Sequence, residues 1–104
     1  MYRLSVLYGQ PLDSNHFRSY YTDVHLPLVM KLPGIRGIRY ALDIAALDGE
    51  APHFAIFEAD FDTEDAMTAA LTSSAGHVVA QDVSNYASGW ATIIHYPLTE
   101  LEVE

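Results

Sequence analysis

Apolar and polar side chains alternate along residues 2–8, with Tyr2, Leu4, Val6 and Tyr8 on one side and Arg3, Ser5 and Leu7 on the other. A period of two marks a half-buried strand. Gly9, Pro11, Asp13, Ser14 and Asn15 break the pattern, and the Asp-Ser-Asn run offers N-cap oxygens to a helix starting near Asn15. At about 100° per residue, Phe17, Tyr20, Tyr21, Val24 and Leu28 fall in one stripe, the expected core face, with His25 at its border. Pro27 has no N–H to give the carbonyl of Asp23, so the helix is expected to kink or restart there and end in a short turn near Leu32.

Leu32-Pro33-Gly34 stops the helix, and alternation resumes over residues 35–47, with Ile38, Tyr40, Leu42 and Ile44 on one face. After the DGEAP turn it returns over residues 53–61, where Phe57, Ala59 and Phe61 oppose Phe54, Ile56, Glu58 and Asp60. Asp62 and Thr63 precede an Ala-rich helix over residues 64–71, followed by a helical or irregular piece through Val78, Val79 and Val83. Residues 89–96 alternate Trp90, Thr92, Ile94 and Tyr96 with Ala91, Ile93 and His95, a fourth strand, and the closing PLTELEVE reads as an edge strand or a frayed tail. The order predicts an α+β chain of ferredoxin-like β-α-β-β-α-β type, with a four-stranded antiparallel sheet and both helices on one face. Leu7, Phe54 and Ile56 would lie on the other face, too apolar to stay wet, and a homodimer is expected to cover them.

Composition narrows the function classes. The 104 residues are one domain's worth, 1–104, and half of them are apolar or aromatic. Cysteine is absent, which excludes disulfides, thiolate metal sites and a cysteine nucleophile. A formal charge of −9 argues against nucleic acid, which needs clustered Lys and Arg. No apolar run reaches the roughly 18–20 residues of a membrane span, and MYRLSVLYGQ lacks a signal-peptide core, so a cytoplasmic protein is expected. All five basic residues lie before position 40, which makes the first 39 residues net +3 and the remainder −12. The two signs would form a solvated acidic face or patches that meet across a dimer.

The candidate chemistry gathers at residues 17–28, FRSYYTDVHLPL. His25 titrates near neutrality and can move a proton if water is excluded and a partner orients its ring. Tyr20 and Tyr21 can offer phenolic donors to a carbonyl or enolate oxygen. The bland alternative has His25 capping the carbonyl freed by Pro27 and the tyrosines packing the core. Glu58 either pairs with Arg36 or Arg39 or has a raised pKa and acts as a base. Tyr86 and Trp90 are candidate pocket walls. His16, His53, His77 and His95 show no H-x-H or H-E-x-x-H spacing, which argues against a zinc site; haem stays open as an alternative, but no single histidine stands out as its ligand, and no cofactor is expected.

F-x-x-Y-Y-x-x-x-H-x-P-L followed by K-L-P-G-I-R resembles the signature of the EthD family of dimeric α+β barrel proteins. Phe61-Asp62-Thr63 and Asp82-Val83-Ser84-Asn85-Tyr86 are similar to its later landmarks. The resemblance implies a homodimer whose two sheets close into a barrel, with a pocket between each sheet and its helices. It implies a setting in ether or xenobiotic breakdown beside an oxygenase, and relatives that include cofactor-independent monooxygenases, cyclases and isomerases. Where family members often carry a third-strand histidine, this chain has Glu58. Two readings follow: a cofactor-free enzyme acting on a small hydrophobic or aromatic carbonyl compound, or a non-catalytic binding or accessory protein of an oxygenase system.

Overall fold

In the computed structural model, which describes residues 1–103, the chain runs β1 (Tyr2–Gly9), α1 (Ser14–Tyr20), a π-helical turn (Tyr21–His25), α2 (Leu26–Val29), β2 (Gly37–Leu42), β3 (His53–Phe61), α3 (Glu64–Thr72), α4 (Ser74–Asp82), a 3-10 turn (Val83–Asn85) and β4 (Ala91–Pro97). The strands form one antiparallel sheet of order β2-β3-β1-β4, the α+β ferredoxin-like arrangement. On β1, Leu4 lies opposite Ala59 and His95, and Val6 opposite Phe57 and Ile93. This row faces the helices, and Leu4, Val6, Phe57 and Ala59 are buried there with Phe17, Tyr21 and Val29.

Asp13 caps α1 by accepting from the His16 N–H at 3.1 Å. At the kink or restart expected near Pro27, the helix widens just before the proline, so that the Leu26 N–H reaches back five residues to the Tyr21 carbonyl. The wide turn corrects the core stripe. Phe17, Tyr21, His25 and Val29 are all buried at a constant spacing of four, a spacing that drifts about 40° per step in a regular α-helix. Val24, expected in the core, is 40% exposed, whereas His25 is only 2% exposed.

Strand β2 stops at Leu42, five residues short of the expected Leu47, because Asp43 adopts a left-handed φ of 57°. A salt bridge to Arg18 of α1 anchors this corner. On β3, Ala55 lies opposite Tyr8 and His53 opposite Gly9, which leaves Phe54 as a bulged residue. Its ring meets Phe17 edge-on at 4.9 Å, so Phe54 belongs to the helix-side core and not to the open face.

The open face is divided rather than uniformly apolar. Leu7, Ile56 and Ile94 occupy one part, and an ionic group of Arg3, Arg39, Glu58 and Asp60 the other. Hydrogen bonds from Arg3 hold the Asp60 carboxyl down at about 2, against the opposing effect of burial and with Arg39 adding to them. Arg36 pairs with Asp62. Four of the five bases thus meet acids of the other charge half within one chain.

The α3–α4 junction is tight. Ser73 caps α4 by accepting from the Gly76 N–H, and a methyl built on Gly76 would sit 2.3 Å from the Leu71 carbonyl oxygen. Because that neighbour is backbone and cannot swing away, Gly76→Ala is expected to destabilise the fold by about 1–3 kcal/mol. Urea unfolding with an unchanged m-value and a lower midpoint is the check.

Candidate functional site

Between the sheet and the helices lies a cavity of about 220 Å³. Leu4, Val6, Tyr8, Phe57 and Ile93 form its sheet-side wall, and the helices contribute Val29, Leu71, Val79, Val83 and His25. Apart from the Tyr8 phenol, His25 is the one titratable side chain on this wall among the described residues.

His25 does not cap a freed carbonyl. Its Nδ1 lies 2.9 Å from Oδ2 of Asp82, the last residue of α4, and both side chains are buried. A carboxylate can only accept, so Nδ1 carries the proton and Nε2 is left as an acceptor. Asp82 also accepts from the Tyr20 hydroxyl at 2.5 Å and from Asn85 Nδ2 at 3.0 Å, both through Oδ1. Asn85 Nδ2 reaches the Tyr20 oxygen as well, at 3.2 Å. A buried acid at a helix C-terminus opposes the helix dipole, and three donors compensate it.

The electrostatics follow from this geometry. Burial favours neutral imidazole and lowers the His25 pKa, although the hydrogen bond to Asp82 and its charge pull the other way. Burial pushes Asp82 up, but hydrogen bonds from Tyr20, Asn85 and His25 outweigh it and hold the carboxyl below its usual range. The unfolded chain therefore binds more protons at both positions in acid, so stability rises with pH. The His25 contribution is full above about pH 6.5 and is lost as pH falls from there through its lowered folded value. Urea midpoints are accordingly expected to fall between about pH 7 and 5, with a flatter profile in His25→Phe.

The aromatic residues divide by role. Tyr21 stacks on His25 with ring centroids 5.4 Å apart, and its buried hydroxyl has no hydrogen-bond partner among the described residues. Burial pushes its pKa far up, so it stays a neutral phenol. Tyr20 lies behind the cavity and touches Asp82 rather than the wall. Tyr86, expected on the pocket wall, lies outside the cavity lining; it packs 4.6 Å from the His25 ring and shares a 2.7 Å hydrogen bond with the Tyr8 hydroxyl.

Two expected site residues lie elsewhere. Glu58 is on the helix-free face, 3.4 Å from Arg3 and 3.8 Å from Arg39, because strand alternation turns it away from Phe57 and the cavity. Arg36 is not its partner. Trp90 covers Gly9 at the end of β1 and meets His53 edge-on at 5.1 Å, outside the cavity lining. Sequence reasoning missed Asp82, Asn85 and Tyr8 as site residues. Asp82 and Asn85 stood in a recognised landmark, but nothing local signals that this acid is buried against His25.

The chain matches the family model described as EthD domain over residues 9–89. It is 33% identical over 96 residues to an uncharacterized 11.0 kDa protein of the thcB-thcC intergenic region of Rhodococcus erythropolis, covering 90% of this chain and 91% of that one. Its fold superposes with a TM-score of 0.89 on an ethyl tert-butyl ether D (EthD) family protein of Bacillus halodurans C-125, at 25% identity, covering 95% of this chain and 99% of the other. A dimeric ferredoxin-like protein of unknown function from Thermobifida fusca is similar at 13% identity with a TM-score of 0.67, over 93% and 89% of the two chains.

Proposed function

The chain belongs to the EthD domain family, and from that premise we propose that it acts, as one unit over residues 1–104 and as a homodimer, on a small hydrophobic carbonyl compound by cofactor-free proton transfer. The observation that carries this reading is His25 on the wall of an apolar cavity with its Nδ1 held by buried Asp82. Asp82 fixes the tautomer and stabilises the imidazolium formed when Nε2 takes a proton, and the surrounding wall is apolar. Tyr20 and Asn85 keep the carboxylate ionised and oriented. Abstraction beside a carbonyl is the step common to isomerisation, dehydration and ring closure. The homodimer is supported by the apolar part of the open sheet face and by the dimeric state named for the Thermobifida protein.

The test needs no knowledge of the natural product. Phenylacetaldehyde in D2O is expected to exchange its α-protons in the presence of the protein, about 100-fold faster than with His25→Ala. Equal exchange by parent and folded variant would remove the catalytic reading. A second reading, a holding protein, is favoured by the absence, among the described residues, of a second unengaged polar side chain on the wall, since the Tyr8 hydroxyl is tied to Tyr86. It predicts ligand-dependent thermal stabilisation without exchange.

A further inference from the structure

We infer that the cavity selects a neutral, one-ring hydrogen-bond donor, a phenol or the enol form of a carbonyl compound, whose hydroxyl faces Nε2 of His25. The inference rests on the cavity being a ligand site, as proposed above, and adds the polarity, charge and size of what enters it.

Polarity follows from the direction of a single hydrogen bond. Asp82 has no proton to give, and both of its oxygens already accept, Oδ1 from Tyr20 and Asn85 and Oδ2 from His25. His25 must therefore present Nδ1–H to Asp82, and its remaining ring nitrogen has a lone pair and no hydrogen. A ketone or aldehyde oxygen placed against Nε2 meets another acceptor and loses its hydration without compensation. A hydroxyl placed there donates and is satisfied. The Tyr8 phenol does not alter the preference, because its hydroxyl is engaged with Tyr86 at 2.7 Å.

Charge follows from the same group. The Asp82 carboxylate stands one imidazole away from the cavity, among apolar walls that screen poorly, and an anionic ligand would face it with no cation on the lining. Size follows from volume. A buried apolar cavity of about 150 Å³ accommodates benzene. About 220 Å³ has room for one ring with a short substituent, while three fused rings exceed it and would extend past the exposed part of its lining, Leu71 and Ile93. The close approach of Gly76 to the Leu71 carbonyl leaves that part of the wall little freedom to retreat.

The experiment compares 4-methylphenol with benzaldehyde, which match in heavy-atom number but differ as donor and acceptor. Calorimetric affinities are measured alongside NMR shifts of the Val79 and Ile93 methyl groups. The expected result is at least tenfold tighter binding of 4-methylphenol, with shifts at both residues, and no comparable binding of 9-phenanthrol. In Asp82→Asn the carboxamide can donate to Nδ1, which moves the imidazole proton to Nε2, and the preference for 4-methylphenol is expected to shrink or reverse. Should that variant fail to fold, the parent ratio alone decides. Benzaldehyde binding as tightly as 4-methylphenol, with the same methyl shifts, would overturn the donor rule and leave the ligand site standing. Equal binding of 9-phenanthrol would overturn the size limit. Absence of binding and of shifts with all three compounds would overturn this inference and the pocket reading together.

Discussion

Asp82→Ala is expected to lose about 3–5 kcal/mol of folding free energy and all His25-dependent proton transfer. The magnitude is that of breaking a buried pair by removing one partner. Three donors lose their acceptor at once: Nδ1 of His25, the Tyr20 hydroxyl and Nδ2 of Asn85. With Asp82 buried, water cannot readily replace them. The proposed proton transfer falls by a separate route, because nothing then fixes the His25 tautomer or stabilises its protonated form. Asp82→Asn separates the two effects. It keeps the volume and part of the hydrogen bonding, so stability should fall less, while loss of the carboxylate should lower the His25 pKa further. A denaturant series gives the first quantity and an NMR titration of the imidazole the second.

Phe17→Ala is expected to cost about 3–5 kcal/mol, the range for removing a fully buried aromatic ring. Phe17 has no exposure and packs against Tyr8, Tyr21, Phe54 and Tyr86 at centroid separations of 5.3, 5.3, 4.9 and 5.1 Å. Two of these partners also bear on the site, Tyr8 as part of the cavity lining and Tyr86 by packing against the His25 ring. The substitution should therefore loosen the site as well as the core. Urea unfolding measures the loss, and broadened His25 ring resonances in the folded variant would report the loosening.

The sequence makes some of this arrangement legible and hides the rest for identifiable reasons. Alternation at Leu4, Val6 and Tyr8, and at Phe57, Ala59 and Phe61, finds the sheet and its buried face because a strand turns each side chain opposite to the last. The helix wheel fails at Val24 and His25 because it assumes a constant turn. Pro27 signals a disturbance, but not that the chain answers it with a wide turn, and that choice moves His25 from the border of the stripe into the core. The bulge at Phe54 is similarly unmarked, since no glycine accompanies it and Phe suits a strand on either face. Asp43 ends β2 through a left-handed backbone that Asp tolerates but does not require.

The site is less legible than the fold because it is made by a long-range contact. His25 and Asp82 are 57 residues apart, and an acid beside Gln81 and Ser84 reads locally as solvated. Glu58 is partly legible. Alternation sets it with Ile56 and away from Phe57 and Ala59, and the expected pairing is met by Arg39 rather than Arg36, with Arg3 beside it.

The proposed role requires His25 to be a neutral base held by Asp82 and open to a ligand in the cavity. Long-range proton–nitrogen NMR of the His25 ring at pH 7, with and without 4-methylphenol, tests it directly. That role predicts a protonated Nδ1 and a bare Nε2, with only the Nε2 resonance moving strongly when the phenol is added. A protonated Nε2, a doubly protonated ring in the free protein, or an Nε2 resonance indifferent to saturating phenol would contradict it.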